Sequence, residues 1–333
     1  VEAIQTKTPI VVYGDYDCDG MTGTAILVNG MRLLGADVSY HVPNRLEDGY
    51  GLNDDAIRKL ATHGKKVIVS VDCGIGSVDE AETAREAGLE LIITDHHEMR
   101  GQLPYAAAIV HPRLPGSSYP FTGLCGAGVA FKLAWALCQR SSQKKKVSPR
   151  LREFLLSAVG LAAIGTVADV VPLLDENRLL VRHGLLSLKQ RPTPGVAALM
   201  SLTKLDTKTT LGSEDIGFVL GPRLNAAGRL GQAQLGVELL TTSSPDRAQA
   251  IAAEIGENAF AVSTNVLGRE SIEESAAAIT AHFGPVDILI NGAGGNKAQA
   301  TTSAELSFFD VPPDAAQWVF NLNFLGTLLP SQV

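Results

Sequence analysis

Cysteine is scarce in this 333-residue chain, and none of the four (Cys18, Cys73, Cys125, Cys138) forms a CxxC pair. That argues against a disulfide framework. Two of the four sit inside acidic motifs, so free thiols and a reducing, cytoplasmic setting are expected. Long hydrophobic runs are missing as well. No apolar run approaches the roughly 20 residues that span a bilayer, and no charged-then-apolar leader precedes the first strand, so no membrane association is expected. Nor is there an excess of positive charge. The formal net charge is −7, which argues against non-specific nucleic-acid binding through a basic surface. The deficit is uneven, because residues 258–333 hold only Arg269 and Lys297 as basic residues, against seven acidic ones. The first 257 residues are near neutral, and a local basic cleft is allowed. The length suits two or more domains. The chain opens on Val1, and residues upstream of it are expected.

What is present starts with Ile10 to Gly20, IVVYGDYDCDG. An apolar run stops at three carboxylates spaced two apart, Asp15, Asp17 and Asp19. Carboxylates this close repel one another unless a hard cation offsets their charge, and in an open α/β sheet ligands collect at the carboxyl ends of the strands. A calcium-binding EF-hand loop does not fit: its twelfth position is Ile26 rather than Glu, and PIVVYG is a strand where an entering helix is required.

Downstream, helical and strand patterns alternate. MTGTAILVNGMRLLGA reads as a helix and DVSYHVPN as a strand. NDDAIRKLATHG is a helix capped by Asn53, and KKVIVSVDCG a buried strand. SVDEAETAREAG is a helix with Ser77 as cap and Glu80 in capping-box position, and LELIITDHHE is the next strand. The expected fold class is α/β with a doubly wound parallel sheet, followed by a truncated second α/β lobe and a partial Rossmann-like segment. Each strand ends in chemistry: VIVSV runs into Asp72, and LIIT into Asp95, His96 and His97. Imidazole beside carboxylates favours manganese over calcium, with magnesium open as well. A Pro- and Gly-rich loop follows Pro112, and SSQKKKVSP is a linker. The helix LREFLLSAVGLAAIGTVADVVPLL carries Asp169 in its apolar half, a costly placement unless that carboxylate is paired or ligates metal. Further on, GPRLNAAGRLG presents Arg223, Asn225 and Arg229 among Gly221, Gly228 and Gly231, and Arg forks match phosphate geometry.

Taken together, GDYDCDG, VDCG, TDHHE and GTVADVVPL resemble the four metal motifs of the DHH phosphoesterase family. GPRLNAAGRLG resembles the opening of that family's associated domain, and VPNRLEDGYGL (Asn44, Arg45, Gly49, Tyr50, Gly51) is similar too. The resemblance covers residues 1 to about 257. It implies a DHH catalytic domain over 1–200, the beginning of a substrate-binding domain over 201–257, and a metal-dependent 5′ to 3′ exonuclease for single-stranded DNA, of the kind acting in DNA repair and recombination. Implied with it is a two-metal site for Mn2+ or Mg2+. Asp17, Asp19, Asp72, His96 and Asp169 are its expected direct ligands and Asp72 the bridge. Asp15 and His97 are expected in or next to the ligand set, and Asp95 is expected to orient His96. Arg223, Asn225 and Arg229 would hold substrate phosphate. Within the same chemistry, short oligonucleotides or cyclic dinucleotides are the alternative substrates. A receiver-like ion-binding module would not need the His pair or the Arg-Asn-Arg stretch.

Residues 258–333 follow a different pattern. FGPVDILINGAG (Asp287, Asn291, Gly292, Ala293, Gly294) and Asn323 resemble the middle of a short-chain dehydrogenase. That family's Gly-rich phosphate loop and Tyr-x-x-x-Lys pair are missing, and Asn265 stands where an adenine-contacting Asp is expected. Half a Rossmann unit does not hold NAD, so the chain reads as a chimera joined near residues 256–260.

Overall fold

The computed structural model describes residues 1–333 except 45–47, 100, 143–145, 230, 258–259, 261, 263 and 303–306. Arg45, noted above, lies outside the described residues. The chain divides into two compact units, Val1–Ala259 and Phe260–Val333.

The first unit is built on five parallel strands, β1 (Ile10–Gly14), β2 (Val38–His41), β3 (Val67–Val71), β4 (Glu90–Thr94) and β5 (Ala108–Val110), in the order β2-β1-β3-β4-β5. β1 and β3 are buried at every position, as their unbroken apolar runs require. Alternate residues enter different cores. Ile10, Val12, Val67, Val69 and Val71 face one cluster, and Val11, Tyr13, Ile68, Leu91 and Ile93 the other. The sheet is therefore covered by helices on both faces. Because β2 and β3 flank β1 on opposite sides, the strand order reverses at β1/β3, and the carboxyl ends of these strands open onto a crevice.

The helices are α1 (Glu2–Gln5), α2 (Cys18–Leu33), α3 (Asp54–Thr62), α4 (Val78–Glu86), α5 (Gly126–Ser142), α6 (Pro149–Ala168), α7 (Asp175–Gln190), α8 (Pro194–Leu202), α9 (Ser213–Asp215), α10 (Gly221–Arg229), α11 (Ala233–Thr241) and α12 (Pro245–Glu257). Asn53 caps α3, its side chain accepting from Ala56 N at 2.8 Å. Ser77 is the N-cap residue of α4 but makes no side-chain cap bond, contrary to the sequence expectation. Its backbone is turned (ψ 67°) instead of extended, which draws Oγ away from the first-turn amides. The α6 helix corrects a second expectation, since its 20 residues are long and apolar enough to cross a bilayer. Here it is a core helix, packed against α2, α5 and α7. The short strand β5, AIV, was not anticipated.

Residues 201–257 contain helices and no strand among the described residues, so the α/β character expected there is not seen. A β-sheet of this lobe would need partner strands, and none lies within these described residues. Instead α11 packs on α2 and α12 on α8, burying Val237, Leu240, Ala248, Ile251 and Ile255 in the main core.

The second unit holds α13 (Arg269–Phe283) and α14 (Pro313–Phe320), with no strand among its described residues. The expected strand VDILI is irregular, and Ile288 and Ile290 are 78% and 84% exposed. Its residues have high strand propensity, but a parallel strand needs hydrogen-bonded neighbours, which this segment does not bring. Asn323 does meet the Gly-rich turn: its Nδ2 donates to Gly295 O (2.8 Å) and its Oδ1 accepts from Gly295 N (3.2 Å). Limited thermolysin digestion is expected to cut first between residues 259 and 300, leaving a stable fragment that ends near α12. Mass spectrometry of the fragments checks this, and first cuts inside α5–α8 would contradict it.

Candidate metal centre

The Asp-rich stretch is the start of a helix as much as the end of a strand. β1 ends at Gly14 and α2 begins at Cys18, with Asp17 as N-cap, its Oδ1 accepting from Gly20 N at 2.9 Å. Asp19 lies in the first turn of α2, and a second helix also serves it: the Gly126 and Ala127 amides at the start of α5 donate to its two oxygens (2.6 and 2.8 Å). Two helix N-termini thus converge on carboxylates, which suits their charge. A Cβ on Gly126 would fall 2.5 Å from Asp72 Oδ1, so only glycine lets α5 start this close to the crevice.

Asp72 follows β3 with φ +64°, a left-handed backbone that Asp tolerates better than most residues. Its carboxylate is 3.1 Å from His96 Nε2 and 3.9 Å from His97 Nδ1. His96 Nε2 also lies 3.7 Å from Asp169 Oδ2, at the C-terminus of α6, and 3.9 Å from Asp19 Oδ2. Despite these approaches, Asp15 Oδ1, Asp72 Oδ1, His96 Nε2 and Asp169 Oδ2 are all buried without a hydrogen-bond partner. Unpartnered buried polar atoms are costly, and four that converge in one crevice fit a cation. Three overlapping donor sets arise: Asp72, His96 and His97; Asp19, His96 and Asp169; Asp15, Asp17 and Asp72. Asp72 and His96 each belong to two of them.

The electrostatics agree. Burial, followed by the neighbouring Asp17 charge, pushes the Asp15 carboxyl up to about 7. Burial with Asp19 and Asp17 nearby does the same to Asp169, again to about 7. Asp17, Asp19 and Asp72 are also raised, chiefly by burial. His96 is driven down to about 4 by burial and by His97, which keeps its Nε2 lone pair available.

Asp95 was expected to orient His96, and here the structure differs. Asp95 Oδ1 accepts from His97 Nδ1 (2.8 Å), and the carboxylate also takes the amides of Ile75, His96 and His97 (2.9, 2.7 and 3.2 Å). The ring it holds is that of His97, because the His96 ring turns across to Asp72. Burial opposes the Asp95 charge, but these bonds outweigh it and hold the carboxyl low, while the same bond raises His97.

Three supports surround these ligands: Tyr50 was noted in the sequence without a role, and His111 and Arg113 were not singled out. Tyr50 OH donates to Asp72 O (3.2 Å) and its ring meets His97 edge-on. His111 Nε2 reaches His97 O (2.9 Å), and Arg113 bonds His96 O. The signal for the last two was the tripeptide pattern itself, since HPR follows the apolar AIV of β5 just as DHH follows LIIT.

Arg223, Asn225 and Arg229 lie on a helix, α10, and not on a Gly-rich loop. The glycines serve close packing: a Cβ on Gly228 would lie 1.9 Å from Tyr16 O. Asn225 Oδ1 accepts from Cys18 N (2.7 Å), joining α10 to the metal stretch. Arg223 Nη1 donates to Val219 O (2.9 Å) while its Nε is buried without a partner, and Arg229 is exposed. All four cysteines are buried free thiols.

A parallel sheet with acidic and imidazole groups gathered at its switch point defines a class of metal-dependent phosphoesterase. Residues 9–159 match the DHH family, N-terminal domain, and this part of the chain belongs to that family. The particular relatives are RecJ proteins. The chain is 44% identical over 256 residues to the single-stranded-DNA-specific exonuclease RecJ of Bacillus subtilis and 42% identical over 261 residues to that of Escherichia coli. It covers 31% and 44% of their lengths, with 77% and 76% of its own residues aligned. Among solved structures, exonuclease RecJ bound to manganese superposes with a TM-score of 0.68 at 36% identity, over 84% of this chain and 66% of that one. RecJ of Thermus thermophilus in complex with Mn2+ gives 0.66 at 33% identity, over 85% and 39%. Residues 223–333 match the short chain dehydrogenase family, in keeping with a chimera.

Proposed function

We propose that the first unit is a RecJ-type hydrolase that cleaves phosphodiester bonds in single-stranded DNA from the 5′ end, with Mn2+ or Mg2+, as a cytoplasmic enzyme of DNA repair and recombination. The observation that carries this is the convergence of four partnerless buried ligand atoms at β1/β3. Asp15, Asp17, Asp19, Asp72, His96 and Asp169 would hold two cations, with Asp72 shared between them and His97 beside it. Bound there, they would activate a water and offset charge on the scissile phosphate.

The remaining roles belong to the chain itself. Asp95 fixes the His97 ring at the cluster's edge, where it is 46% exposed and able to meet substrate. Arg229, exposed at the end of α10, would take a phosphate of the substrate strand. Of the other two expected contacts, Asn225 Oδ1 already holds Cys18 N, so Asn225 has its Nδ2 group to offer. Arg223 Nε, buried and unpartnered, completes the set.

The test is digestion of a long 5′-labelled single strand, a 3′-labelled one and a dinucleotide, each with Mn2+. Release of labelled mononucleotide from the 5′ end first supports the reading. Cleavage of the dinucleotide alone would shift the assignment to short oligonucleotides or cyclic dinucleotides. The Arg229→Ala variant is expected to raise KM for the long strand by about tenfold and to flatten its salt dependence, with kcat within about threefold. A loss confined to kcat would refute a binding role.

A further inference from the structure

We propose that Asn177, which touches none of the ligand atoms, is a positioning residue that sets the Asp19 and Asp169 carboxylates for cation binding. This rests on the reading of the carboxylate cluster as a divalent-cation site.

Asn177 is fully buried in the first turn of α7. Its Nδ2 donates to Gly123 O (2.6 Å) and to Pro172 O (3.0 Å). Those two carbonyls belong to the segments on which the ligands depend. Gly123 lies three residues before Gly126, whose amide, with that of Ala127, fixes both oxygens of Asp19. Pro172 lies three residues after Asp169, in a turn where Val170 is forced to φ +61°. A β-branched residue in that region is strained, and strain of this kind persists only where the surroundings hold it. One amide group thus ties the start of α5 to the end of α6 and resists relaxation of the turn that carries Asp169. Its Oδ1 is buried with no partner, so the group's contribution lies in its two donated bonds. The adjacent Glu176 strengthens the same clamp, accepting from Tyr119 OH (2.6 Å) and pairing with Lys132 of α5 (2.9 Å).

The test compares Asn177→Ala and Asn177→Ser with Ser187→Ala in the full chain. Ser187 is a buried residue of the same helix whose hydroxyl bonds Leu156 O, away from the cluster. Mn2+ alone is titrated by calorimetry, and Tm is read with and without it. Asn177→Ala is expected to weaken Mn2+ binding by about 10 to 100-fold and to shrink the Mn2+-induced rise in Tm. Ser187→Ala is expected to lower Tm equally in both states and leave Kd unchanged. Asn177→Ser has less bulk to reach both carbonyls; it should show the same weakening and carries the measurement if the Ala variant does not fold. Asn177 variants with the wild-type Kd, whatever their Tm, would overturn the proposal. A wild-type chain that does not bind Mn2+ would instead remove the cation-site reading, and this inference with it.

Discussion

Replacing Asp72 with Asn is expected to lower Mn2+-dependent phosphodiesterase activity by on the order of 10³-fold or more, and to leave the metal-free protein at least as stable as wild type. Asn is the informative substitution. The residue sits at φ +64°, which Asn adopts at least as readily as Asp, so the change removes charge without adding backbone strain. Asp72 belongs to two of the three donor sets, and its loss should disturb both cation positions. In the metal-free protein the same carboxyl is a burden. Burial pushes it far above its ordinary range, and the charges of Asp19, Asp17, Asp15 and Asp95 push in the same direction. A neutral isostere relieves that repulsion. Thermal unfolding at pH 8 without metal should therefore give an unchanged or higher Tm, while added Mn2+ should no longer raise it. Retention of more than about a tenth of wild-type activity would remove Asp72 from the site, and a collapse of the metal-free fold would mean that its role is structural.

The parts of this site that were legible in the sequence share one physical property: each ligand motif is continuous with a buried, β-branched strand or an apolar helix. IVVYG, VIVSV and LIIT are recognisable alone, and a parallel sheet brings their carboxyl ends to one edge. What was illegible depends on partners distant in sequence. Asp19 is fixed by amides 107 and 108 residues away, at the start of a helix whose first residues, GAG, carry no charge to announce a contact. Asp95 lies beside both histidines in sequence, and only the ring rotations decide which one it holds. The glycines among Arg223, Asn225 and Arg229 do not announce a helix, yet the stretch is α10, and Gly228 lets it approach Tyr16 closely. VDILI has the composition of a strand, but strand formation is a property of a sheet, and no neighbouring strand is present among the described residues of its unit.

The metal-free protein should lose stability as pH rises from about 5 to 8, and saturating Mn2+ should abolish that loss. Asp15 and Asp169 titrate near 7 in the fold, raised mainly by burial from an ordinary value near 3.8. A raised folded-state value means that the native state holds the proton more tightly than the unfolded chain does. That contribution is fully present below about pH 4 and disappears as pH passes through 7. His97, raised by Asp95, acts in the same direction. His96 acts oppositely: depressed to about 4, it favours the fold increasingly as pH rises from 4 to 6.5, and above that it adds nothing further. Between pH 6.5 and 8 the carboxylates are therefore unopposed. Allowing for partial solvent access at Asp169, the net loss from pH 5 to 8 is on the order of 3 kcal/mol, or about 5 to 10 °C in Tm for a unit of this size. Cation binding requires the deprotonated ligands, so Mn2+ affinity should tighten over the same interval and offset the loss: the Tm of the loaded protein should rise up to about pH 6.5, where the unfolded chain still protonates His96, and stay level above it. Parallel Tm–pH curves with and without Mn2+ would show that these carboxylates do not share a cation.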